Sequence, residues 1–235
     1  MSSGIPETQK RIAPWSAGLR AARANLVPGL IIQLVMLALL LGYHFYPPTR
    51  FWLDQLAALK ESWGYGYSVL AAIIAGAIIP EIMRIIVFQR GKADSRNLRN
   101  LLFSLLFWSF MGFIVDAFYR SQALWFGDES NVRTVTIKVL VDQFIYNPVF
   151  AAPFTACMYD WKNSGYRRRV IPHYFSWHYY RDAVIPTLFA TWGVWIPIVT
   201  ILYSLPSLLQ IPLFALALSL WVMIYTWMSE QRSGK

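Results

Sequence analysis

The chain has 235 residues, 57% of them hydrophobic and only 14% charged, with a formal net charge of +9 and a mean hydropathy of +0.41. A soluble domain usually carries about a quarter charged residues, and a chain of 27.1 kDa has too little interior to hide so much apolar surface, which lipid around each helix would cover. The basic balance does not point to nucleic acid, because the charges sit between apolar stretches and form no basic aromatic face of the kind such modules use.

The first 24 residues hold Lys10, Arg11, Arg20 and Arg23 against a single acid, Glu7. The apolar run that follows is longer than a signal-peptide core and lacks a clear cleavage site. It reads as a retained first span, with an arginine-bearing organelle presequence as the weaker reading of segment 1–24. A spanning helix needs roughly 20 mostly apolar residues. Six candidates follow in order, at 25–46, 67–89, 98–126, 134–160, 183–204 and 207–229. Pro47 and Pro48 stop the first.

Residues 51–63 alternate apolar and polar at helical spacing, with Trp52, Leu56 and Leu59 on one side. That pattern predicts a short helix lying at the membrane interface. The stretch 162–181, with Arg167, Arg168, Arg169 and an aromatic run, predicts an interfacial loop or surface helix.

The fold expected is all-α, a polytopic membrane helix bundle with about six transmembrane helices. The alternative is four or five spans plus kinked or interfacial helices, because Pro80, Pro148, Pro153, Pro186 and Pro197 interrupt the apolar runs. With six spans, alternate loops and both termini carry 15 Lys and Arg residues against 3 on the opposite side. The positive-inside rule then places both termini in the cytoplasm or its equivalent.

Ionisable groups inside a bilayer are costly and usually face protein or water. Three pairs at helical spacing stand out: Glu81 with Arg84, Asp116 with Arg120, and Lys138 with Asp142. At such spacings both partners share a helix face and can pair. Gln143 and Asn147 extend the polar face of the fourth span. These eight residues are the candidate lining of a polar path between helices. The bland reading is that the pairs neutralise themselves or lock helices together. Asp142 and Glu81 lie deepest in their spans and favour function most.

Enzyme signals are poor. His44, His173 and His178 form no metal-ligand pattern, and no hydrolase or nucleotide motif is legible. Cys157 reads as core filler, and Gly112 with the Gly64/Gly66 pair as packing or turn residues. No catalytic residue, metal or cofactor is expected, and a membrane enzyme acting on lipid is the least favoured reading.

From residue 51 onward the order of motifs resembles the Mpv17/PMP22 family of integral membrane proteins. Asp94, Arg96 and Arg99 resemble its charged loop, and Gly112 with Phe118-Tyr119-Arg120 its second-span cluster. The most specific match is Lys138-Val-Leu-Val-Asp142-Gln143 with Pro148 five residues on. Trp192-x-x-Trp195-Ile-Pro197, Leu205-Pro206 and the late Trp221 and Ser229 follow. The chain departs from the pattern at Ile79-Pro80, at the inserted Ile196 and at Leu209, so the resemblance is to a divergent member. It leaves 25–46 as an additional N-terminal transmembrane helix and 51–229 as the family-like membrane domain.

The resemblance implies a mitochondrial inner, peroxisomal or other membrane, with the bacterial inner membrane as the setting if the source is bacterial. It also implies channel-like passage of small solutes or ions. The other reading is a structural or accessory membrane subunit without transport. The expected partners are the lipid bilayer, small solutes or ions, and a second copy of the chain or other membrane proteins.

Overall fold

A computed structural model describes residues 14–233; positions 1–13, most of the basic N-terminal segment 1–24, lie outside the described residues. Those described are almost wholly helical, without strands. Helix α1 spans Pro14–Phe45. Helix α2, Pro47–Trp63, opens on a proline pair whose fixed φ suits a first helical turn. Helix α3 covers Tyr65–Phe88, with π-helical turns at Ile74–Ile78 and Arg84–Phe88.

Helix α4, Ser95–Phe126, starts at a capping box. Asp94 accepts from the Arg96 backbone N–H, and Asn97 Oδ1 takes the Asp94 N–H at 2.7 Å. Helix α5 runs over 132–163 and starts where the Asn131 side chain accepts the Thr134 N–H. Its middle, Asp142–Ala151, is π-helical. After two short turns, helix α6 covers 177–203 and bends by 55° between its halves Trp177–Phe189 and Thr191–Tyr203. Helix α7 is Ser207–Ser233.

Among the described residues three helices are long and apolar enough to cross a membrane, Asn25–Phe45, Tyr65–Phe88 and Ser95–Phe126, and a fourth is gained if the bent α6 is one span. The first three coincide with the first three expected spans. Of the remaining two, helix α5 carries Lys138, Asp142, Gln143, Asn147 and Asp160, which dilute its apolar character, and α7 is apolar over Ser207–Met223, as far as its side chains are described.

The interior is built around α1, α6 and α7. Ile32, Met36, Ile198, Leu202, Leu209 and Leu213 form its centre, joined by Tyr119 of α4 and Val135 and Val139 of α5. Helices α1 and α6 approach closely because Gly29 sits against Val194, where a Cβ would lie 2.7 Å from a valine methyl. Gly112 does the same between α4 and α3, with the Ser68 carbonyl and Ala72 in its place. Small residues at such crossings let backbones approach where no hydrophobic drive joins helices in lipid.

Prolines leave carbonyls without their helical donors, and polar side chains from neighbouring helices take them over. Pro197 has no N–H for Gly193, and the Gly193 carbonyl instead accepts Gln33 Nε2 of α1 at 3.0 Å. In the π segment the donor to the Gln143 carbonyl would be residue 148, a proline. The Trp192 indole N–H fills that role at 3.1 Å.

The outer surface is apolar: Leu34, Leu106, Leu124 and Val149 are each 65% exposed or more. On α2, Trp52 and Leu59 face outward, whereas Leu53 and Lys60 face the protein.

Candidate functional site

Three groups of polar side chains interrupt the apolar interior. The first lies where α2, α3 and α4 meet. One oxygen of the Asp116 carboxylate accepts Lys60 Nζ at 2.5 Å and Ser68 Oγ at 2.6 Å. The other accepts Arg120 Nε at 3.1 Å. The expected Asp116–Arg120 pair is formed, but the closer partner is Lys60, a residue the sequence places on a surface helix. Burial pushes the Lys60 ammonium pKa down, and the Asp116 contact opposes that shift. Arg120 also lies over the Tyr65 ring, 4.5 Å from its centre.

In the second group Glu81 is buried and accepts Asn97 Nδ2 at 2.5 Å. Arg84, half exposed, stands 3.8 Å from the other oxygen. The expected pair is therefore loose, and the main partner is the asparagine that also closes the cap of α4.

The third group surrounds Asp142 at the start of the π segment. Tyr203 donates its hydroxyl to Asp142 Oδ2 at 2.6 Å, and Gln143 Nε2 donates to Oδ1 at 3.0 Å. The Tyr203 oxygen in turn accepts Gln122 Nε2 at 2.6 Å. Tyr119 stands beside the same carboxylate, its ring 5.0 Å from that of Tyr203.

The expected Lys138–Asp142 pair is not formed. Lys138 Nζ lies 3.9 Å from Asp128 Oδ1 in the loop before α5 and 5.9 Å from the centre of the Tyr203 ring. Helical side chains lean toward the N-terminus of their helix. A lysine preceding its acid by four residues therefore points away from it, here toward the Asp128 loop. Among the described residues no cation pairs with Asp142.

Two cavities meet at Tyr119. One, of about 500 Å³, is lined near that tyrosine by Asp142, Gln143, Tyr146 and Asn147, and farther along by Thr155, Asp160 and Thr187. The other, of about 570 Å³, is lined by Lys60, Asp116, Arg120, Asp128 and Ser207. Along α4 the first begins at Trp108 and the second ends at Leu124, with Tyr119 belonging to both. Behind Tyr119, Tyr203 is 2% and Gln122 0% exposed, so the partition is tightly packed. Gln143 Oε1 and Tyr146 OH are buried without a protein partner. Both residues line the first cavity, where those hydrogen bonds can be met.

The structure thus divides the eight candidate residues. Asp142, Gln143 and Asn147 line the first cavity, Asp116 and Arg120 the second, and Glu81, Arg84 and Lys138 neither. The sequence reading missed Lys60, Ser68, Tyr119, Gln122 and Tyr203. Part of that set carries a signal: Asp116, Tyr119 and Gln122, spaced by three, share one face of α4. Among the described residues no three histidine, cysteine or carboxylate side chains converge as a metal site would require.

The architecture defines an all-helical protein with at least three helices suited to a bilayer. No family model matches the chain, and neither a curated protein nor a solved structure matches it.

Proposed function

We propose that the protein is an integral membrane protein of six spans that holds a gated polar path for small solutes or ions, in the manner the Mpv17/PMP22 resemblance implies. The observation that carries this reading is Asp142. It is a buried carboxylate lining the first cavity beside the Tyr119 partition, held by hydroxyl and amide donors with no cation paired to it among the described residues. A carboxylate removed from water without a countercharge is costly, and inside a membrane such a group marks a functional path by default. Tyr119 closes the path between the cavities, and Gln143, Asn147 and Tyr146 supply polar atoms on the side that reaches Asp160. Helices α5 and α7 and the bent α6 complete the six, with both termini on the cytoplasmic or equivalent face. The membrane is the bacterial inner membrane, or a mitochondrial inner or peroxisomal one in a eukaryote.

The purified protein in a planar bilayer is expected to raise conductance above that of the bare bilayer, and Asp142→Asn to change its ion selectivity. Conductance no greater than the bare bilayer overturns the reading. The Lys60–Asp116–Ser68–Arg120 group favours the second reading, an accessory subunit, because every member has a partner, as in a lock between helices. On that reading Asp142→Asn lowers the Tm in detergent and leaves conductance at the bare-bilayer level.

A further inference from the structure

A third cavity faces the outside of the bundle. It is a groove of about 520 Å³ between α4 and the last turns of α5. Its floor is Phe103 and Phe107, 9% and 4% exposed, and its walls include Leu106 at 76% and Phe110 at 44%. The far end closes on Phe154, whose ring stacks on Phe107 at 5.9 Å between centres. The near end has different chemistry. Arg99, Trp161 and Tyr166 line it, and Arg167, Arg168 and Arg169 follow Tyr166 directly. Arg99 is exposed and makes no ion pair among the described residues. The Trp161 indole N–H is buried and has no protein acceptor.

The groove also has a length. From Arg99 to Phe110 along α4 is roughly 16 Å at 1.5 Å per residue, about half of a hydrocarbon core roughly 30 Å thick. An apolar trough one leaflet deep, with an unpaired guanidinium and an indole donor at its mouth, is complementary to one molecule. We infer that this groove binds an anionic phospholipid, one acyl chain lying on Phe103 and Phe107 and the phosphate at Arg99. The Trp161 N–H meets an ester or phosphate oxygen, as interfacial tryptophans do. The arginines after Tyr166 add attraction for an anionic leaflet. The mouth lies on the face that carries most of the basic loop residues, which the positive-inside rule assigns to the cytoplasm.

The inference rests on the membrane reading above and not on conduction. The test is native mass spectrometry of the detergent-solubilised full chain titrated with dioleoyl phosphatidylglycerol, with dioleoyl phosphatidylcholine and inorganic phosphate as comparison arms. One phosphatidylglycerol is expected to remain bound at concentrations where phosphatidylcholine does not. Arg99→Gln is expected to weaken it about tenfold, the scale of one charge-assisted hydrogen bond. Leu106→Trp, which fills the groove without removing charge, weakens it as well, and Asp142→Asn leaves it unchanged. Equal retention of phosphatidylcholine, undiminished retention by Arg99→Gln, or displacement of the lipid by inorganic phosphate overturns the inference. Failure of the membrane reading shows separately, as release of the protein from membranes by alkaline carbonate.

Discussion

Asp142 and Asp116 are two carboxylates on neighbouring helices with opposite surroundings. Asp116 is neutralised by two cations and a hydroxyl. Asp142 has only neutral donors, so each of those donors matters more. Tyr203 is the one that joins Asp142 to Gln122, giving its proton to the acid and accepting from the amide. Tyr203→Phe removes both bonds at once and leaves buried polar atoms unsatisfied on two helices. Such a loss costs about 1–3 kcal/mol for each unsatisfied group. The expected result is a clear drop in Tm in detergent, measured by scanning fluorimetry. If the partition also gates the path, conductance rises in the same variant. The sequence shows Asp142 plainly, as an acid deep in an apolar run. It does not show Tyr203 or Lys60. A tyrosine near a helix end reads as an interfacial anchor, and a lysine on a short amphipathic helix reads as a water-facing residue. Both readings assume that polar atoms look outward.

That assumption fails at the scale of elements. In a soluble protein the apolar side of an amphipathic helix packs inward. On α2 Trp52, 71% exposed, faces out, and Lys60, 2% exposed, faces in beside Leu53. Periodicity records that two faces differ and does not record which of them meets the protein. The helices themselves were legible, because length, proline punctuation and apolar runs decide them. The caps at Asp94 and Asn131 are equally local. The π segment was not legible, because it depends on donors from elsewhere. Its carbonyl at Gln143 is satisfied by Trp192, and the Pro148 carbonyl accepts the Tyr180 hydroxyl at 3.0 Å. Trp192→Phe keeps an aromatic ring, smaller than the indole, and removes the donor. It is expected to destabilise the protein by about 1 kcal/mol and to speed amide exchange selectively within α5, as read by hydrogen exchange.

For the whole molecule, the proposal most directly open to test concerns orientation. If the chain crosses six times, the 15-to-3 distribution of basic residues predicts both termini on one face and the Asp128 loop on the other. Reporter fusions at either end are expected to show activity on the cytoplasmic side only. A reporter inserted after Glu129 should show the opposite. Ends on opposite faces would mean an odd number of crossings, with α6 entering and leaving on one side. The helical spacing of Lys138 and Asp142 was legible in the sequence. How the two side chains pair was not. They sit in one helix and turn to different partners, because Lys138 leans toward the Asp128 loop and Asp142 toward Tyr203.

The π segment of α5 has a further mechanical meaning. A turn that holds more residues than its neighbours stores register. If the surplus moves along the helix, every side chain it passes turns by about 100°, the angle per residue of an α-helix, while the anchored ends stay in place. Asn147 and Tyr146 lie within that stretch and Asp142 at its start. A shift of this kind would turn those groups toward or away from the partition without moving any whole helix. The protein would then carry its moving part inside one strand of backbone, as a travelling twist rather than a hinge.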